Sequence, residues 1–190
     1  MTKSQEKIPE INERYEKWIY VSHGLANIEI YAVISAQEMG RLDCICIAED
    51  ARICSSLGSD ADQTNNLVRD NDHLLFSRLW VLGAYELIRV ISEHYRKKPR
   101  IIDKTRIMDK NLYHEIESLE KRFLRLRVPL AKLKPANHYE NTDFHFAHPV
   151  SSPKYGCAWI ISKDDVIHRR ELSDELLILL EKIRHATEKN

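Results

Sequence analysis

The sequence predicts a mainly α fold, a single-domain helical bundle with a small C-terminal β-hairpin before the last helix. Apolar residues recur at helical spacing over about 11–128. Beyond them Pro129, Pro135, Pro149 and Pro153 crowd one segment, where the missing backbone donors should stop helices. The period then shortens from helical to alternating at Phe144-His145-Phe146 and in Cys157-Ala158-Trp159-Ile160-Ile161. With 190 residues, 43% of them apolar, the chain is long enough to bury one continuous core.

Between Ile11 and Leu57, the residues Trp18, Val21, Leu25, Ile28, Ala32, Met39 and Leu42 trace a helical stripe. Gly24 and the β-branched run Ile28–Ile34 leave a strand open over residues 18–34. Ser55-Ser56-Leu57-Gly58, followed by SDADQTNN, reads as a helix stop and a polar loop. The next helix spans about 72–97, capped by Asn71 or Asp72 and ended before Pro99. Its apolar set, Phe76, Trp80, Val81, Ala84, Leu87, Ile88, Val90, Ile91 and Tyr95, covers more than half the circumference, which makes this helix central. The remaining stripe holds Arg78, Glu86, Arg89, Glu93, Arg96 and Lys97 at ion-pairing intervals.

A further helix, about 105–127, is amphipathic. Met108, Leu112, Ile116, Leu119, Phe123 and Leu126 form one face, while Lys110, His114, Glu117, Lys121 and Arg125 face the other way. An irregular segment and the hairpin fill about 129–170, with Lys163-Asp164-Asp165 as turn and Val166-Ile167-His168 as returning strand. The last helix, about 173–187, takes Ser173 as N-cap, with Asp174 and Glu175 in its first turn. Leu172, Leu176, Leu179, Leu180 and Ile183 form its apolar face, and Leu177 and Ile178 widen it enough to serve the core or a subunit contact.

Several function classes are disfavoured. No apolar run approaches the roughly 18 residues that span a bilayer, and the amino terminus lacks a secretory apolar stretch. A cytoplasmic protein without a membrane partner is expected. Five glycines leave little room for a phosphate cradle, and no nucleotide, nucleophile-elbow or His-Glu-x-x-His motif occurs, so no cofactor is expected. Cys44, Cys46, Cys54 and Cys157 form no Cys-x-x-Cys pair and read as small buried thiols.

Charge is segregated. Residues 1–93 hold 9 basic and 15 acidic groups, residues 94–134 hold 13 and 5, and residues 135–190 hold 7 and 9. The neutral total thus conceals a basic block that includes Arg96, Lys97, Lys98, Arg100, Lys110, Lys121, Arg125, Lys132 and Lys134. Such a block can neutralise phosphates and release counterions, the basis of sequence-independent RNA or DNA binding. Equally, acidic neighbours within the fold can cancel it. A histidine cluster, His138, His145 and His148, has Glu140 and Asp143 between its members. Imidazole and carboxylate are metal ligands, but a proline-rich loop gives them no preset geometry, and polar loop chemistry without metal is the expectation.

Arg89 and His94 stand in an Arg-x-x-x-x-His spacing. This resembles the motif of the HEPN superfamily, helical ribonucleases that commonly act as dimers in toxin and defence systems. The resemblance implies metal-independent RNA cleavage at a composite site, with histidine moving the 2′-hydroxyl proton and arginine stabilising the phosphorane. On the residues alone, Arg89 sits between Glu86 and Glu93 and has a structural role. Over longer stretches, RLWVLGAYELIRVI from Arg78, LRLRVPLAKLKP from Leu124 and RRELSDELL from Arg169 resemble a family of uncharacterised bacterial helical proteins. That likeness implies a bacterial origin and no particular activity. The leading expectation is a cytoplasmic protein, a homodimer, that binds nucleic acid or another polyanion through residues 94–134. A HEPN-like ribonuclease and a protein-interaction module without nucleic acid are the alternatives.

Overall fold

A tight turn after Ser22 folds the first two helices back on one another. In the computed structural model, which describes residues 7–56, 63–97, 110–152 and 156–188, α1 (Lys7–Ser22) ends in a 3-10 turn at His23–Leu25 and α2 (Ile30–Ser56) returns beside it. The strand left open over residues 18–34 does not form. Ala32 and Ala36 turn inward with Trp18, Val21 and Leu25, and burying that helical stripe outweighs the β-preference of the isoleucines. A Cβ on Gly24 would lie 2.7 Å from the Arg184 backbone, so glycine lets the turn meet the last helix.

The central helix, α3 (Gln63–Lys97), is longer than its apolar pattern implies. Asn71 and Asp72 are exposed residues inside it rather than caps, and Gln63–Asn66 are helix rather than loop. Apolar periodicity marks where a helix is covered, not where it begins, and Asn71 and Asp72 face solvent. Trp80, Val81, Ala84, Ile88 and Ile91 are fully buried, as expected for a central element, whereas Phe76 at the edge of the arc stays 38% exposed. The expected start of the next helix at 105–109 lies outside the described residues.

Helix α4 (Lys110–Lys132) runs through Pro129 instead of stopping before it. Proline removes one hydrogen bond here, and only the final turn lies beyond it. Arg78 of α3 donates to the Leu130 carbonyl, which satisfies one acceptor of that turn. The helix then ends at Leu133, which adopts the left-handed conformation (φ 53°) that usually calls for glycine. Trp80 and Phe123 pack with ring centroids 5.9 Å apart where α3 meets α4.

The expected hairpin is part of a three-stranded antiparallel sheet in the order β1 (Asp143–Ser152), β2 (Gly156–Ser162), β3 (Val166–His168). Residues 163–165 make the turn between β2 and β3, as the sequence predicts. Pro149 is tolerated because β1 is an edge strand. Helix α5 (Arg169–Glu188) starts before Ser173, which is therefore no N-cap but a buried residue of the second turn. Its leucine face, Leu177 included, packs into the core against α1 and α4, and only Ile178 is left exposed.

Candidate functional site

A fully buried guanidinium lies where α1, α2, α3, β2 and α5 converge. Arg169, the first residue of α5, reaches two carboxylates on the inner face of α2 through different nitrogens, Nη1 to Asp43 (2.6 Å) and Nη2 to Asp50 (2.7 Å). Asp43 also accepts from Arg14 Nε (2.6 Å) and Trp18 Nε1 (3.0 Å) of α1. Arg14 continues to the Ser173 hydroxyl and to Asp174. Asp50 is met by His73 Nε2 of α3 (2.7 Å) and by the backbone N–H of Cys157 in β2 (3.1 Å). Gly156 has φ +68°, and a Cβ there would overlap the Asp50 carboxylate, so glycine is required on both counts.

Desolvation alone would raise the pKa of both acids. For Asp43 the charges of Arg169 and Arg14, with hydrogen bonds from Arg14 and Ser173, more than offset it and hold the carboxyl below its ordinary value. For Asp50 the His73 hydrogen bond and Arg169 do the same. Both acids are thus anions and Arg169 a cation, a paired arrangement in which Asp43 and Arg169 are fully buried and Asp50 nearly so. Its charged groups are committed to one another, while Arg169 Nε and His73 Nδ1 are buried with no hydrogen-bond partner among the described residues, and this cluster is a keystone of packing. Beside it, desolvation pushes the Cys46 thiol up to about 11 and the Cys157 thiol up to about 12, which leaves both as inert thiols. The sequence reading missed this cluster, although Asp43 and Asp50 fall within about 20° of each other on the apolar stripe of α2.

The basic block divides by residue type. Its described arginines are turned toward acids: Arg96 to Glu120 (2.8 Å), Arg122 to Glu175 and Arg127 to Glu86 (3.8 Å). Arg125, expected to be exposed beside Lys110 and Lys121, instead makes a two-pronged bond to the buried Asp143 (2.7 Å each), a pair to Asp165 and a stack over Tyr139. A guanidinium matches a carboxylate in two places, and that geometry draws arginine inward where lysine stays hydrated. Lys97 lies 3.7 Å from Glu93. Lys110, Lys121, Lys132 and Lys134 are exposed and make no ion pair with a described residue. Lys98 and Arg100 lie outside the described residues.

Arg89 is clamped between Glu86 (2.8 Å) and Glu93 (2.5 Å), as its spacing predicts. His94 sits about 140° around the same unbroken helix, edge-on to Tyr95, so one chain does not bring Arg89 and His94 together. His138, His145 and His148 are exposed, and the His148 ring packs edge-on against Phe144 and Phe146. Among the described residues, no three His, Cys, Asp or Glu side chains gather in a way that would hold a metal ion. No helix of the described residues is long and apolar enough to cross a membrane. Compared with known proteins, the chain matches no family model, no curated protein and no solved structure.

Proposed function

We propose that this protein binds nucleic acid without reading its sequence, through a ridge of lysines along α4. The observation that carries the reading is the sorting of charge on that helix. Every arginine of α4 faces a carboxylate, whereas Lys110, Lys121 and Lys132 are exposed and unpaired with described residues. These three lysines fall within about 40° of arc over about 33 Å of helix, with His114 in the same arc. Lys134 follows the helix end. A line of hydrated ammonium groups on a rigid rod suits a strand of phosphates, whose contacts supply affinity but no base discrimination. The interaction-module alternative loses its expected surface, because the leucine face of α5 is buried.

Titration of the protein with single- and double-stranded RNA and DNA at low ionic strength tests the proposal. Binding to several of these ligands is expected, together with its loss in a combined Lys110→Glu, Lys121→Glu, Lys132→Glu variant that keeps the wild-type melting profile. Absence of binding to all four ligands overturns it. RNA cleavage that vanishes in both Arg89→Ala and His94→Ala would replace it with the ribonuclease.

A further inference from the structure

Helix α2 keeps a second apolar stripe on the side opposite the buried carboxylates. Tyr31, Ile34, Glu38, Arg41, Ile45 and Ala48 are all exposed, and successive members stand 3, 4, 3, 4 and 3 residues apart. That alternation is the a/d spacing of a two-stranded coiled coil, with charged residues at its two central positions. The apolar members are far from marginal: Tyr31 is 72% exposed, Ile34 51% and Ile45 43%. At its centre Glu38 and Arg41 make no ion pair or hydrogen bond with any described residue.

We infer that this stripe docks on the same stripe of a second copy of the chain, with the two α2 helices antiparallel about a two-fold axis that passes between residues 38 and 41. The seam is self-complementary in that register and in no parallel one. An antiparallel seam pairs each a position with a d position of its partner. Glu38 then meets Arg41 of the second copy, Ile34 meets Ile45, and the bulky Tyr31 meets the small Ala48. The two-fold repeats each pairing, as an isologous interface requires. A parallel, in-register pairing would set Glu38 against Glu38 and Arg41 against Arg41, so the central charges select direction as well as partner. The six layers span about 26 Å of helix. Phe76 and Leu79 are also exposed on α3, the helix whose Ser77 meets Cys46 of α2.

Sedimentation of the full chain, with charge reversals at the two central positions, tests the inference. The wild-type chain is expected to dimerise. In Glu38→Arg each layer that paired opposite charges sets arginine against arginine, and in Arg41→Glu glutamate against glutamate. Each variant alone should associate about 100-fold or more weakly. Mixing the two variants restores both opposite-charge layers, so the mixture should form a heterodimer while each component alone is monomeric. The doubly reversed Glu38→Arg, Arg41→Glu chain should dimerise by itself. Both positions are exposed, and circular dichroism of each variant verifies that it is folded. A wild-type chain that stays monomeric overturns the inference, as does a dimer indifferent to single reversal. Folded variants that fail to associate when mixed overturn the proposed register.

Discussion

Arg169 joins α5 to two carboxylates of α2, which in turn hold α1, α3 and β2. With Asp43 on one side and Asp50 on the other, its removal leaves two buried carboxylates short of a partner. Arg169→Met should therefore destabilise the protein by about 3–5 kcal/mol, measured by urea unfolding, despite adding an apolar side chain of similar length. The same pairs set the acid limit of the fold. Because the folded-state pKa values of Asp43 and Asp50 lie below the ordinary 3.8, their stabilisation is complete above that value. It is lost as pH falls through the lowered values. Acid titration followed by circular dichroism should show unfolding below about pH 4, and at a higher pH in Arg169→Met, whose carboxylates lack their cation. The positions of Asp43 and Asp50 were legible, since both stand on the apolar stripe of α2. Their partners were not, because Arg14 and Arg169 come from opposite ends of the chain and only folding brings them together.

Among the elements, those defined by packing were readable, as was the turn at 163–165, whereas the starts of α3 and α5 and the end of α4 were not. The apolar arc of α3 identified the central helix correctly, and Trp80→Ala should cost about 3–5 kcal/mol by removing a fully buried ring and its bond to the Met39 carbonyl. Gln63-Thr64-Asn65-Asn66 carries no apolar signal and reads as loop. Pro129 reads as a stop because proline usually is one, and Ser173 as a cap because serine favours that position. Tertiary contacts override both preferences: Arg78 satisfies the turn after Pro129, and Ser173 accepts from Arg14 in the interior. The actual stop at Leu133 follows from its left-handed backbone. Leu133 is 62% exposed, so Leu133→Gly removes the conformational cost with little loss of packing. It should raise stability by about 1 kcal/mol in thermal or urea unfolding.

For the whole molecule, a formal net charge of zero hides a division of labour among its cations. The block at residues 94–134 was visible as composition, but composition does not distinguish a guanidinium held by Asp143 from an ammonium left in water. Arg125 and Lys121 stand about one turn apart on α4 with opposite roles: one closes α4 onto β1 and the turn at 163–165, the other stays on the ridge. The salt dependence of RNA binding tests this division most directly, in wild type and in Lys121→Gln, Lys132→Gln and Arg125→Gln. Each lysine variant should lower the slope of log K against log salt by about 0.7 to 0.9 with unchanged stability. Arg125→Gln should leave that slope unchanged while destabilising the fold by about 3 kcal/mol, since the buried Asp143 loses its partner. A slope indifferent to both lysine substitutions, or reduced by Arg125→Gln, would contradict the account.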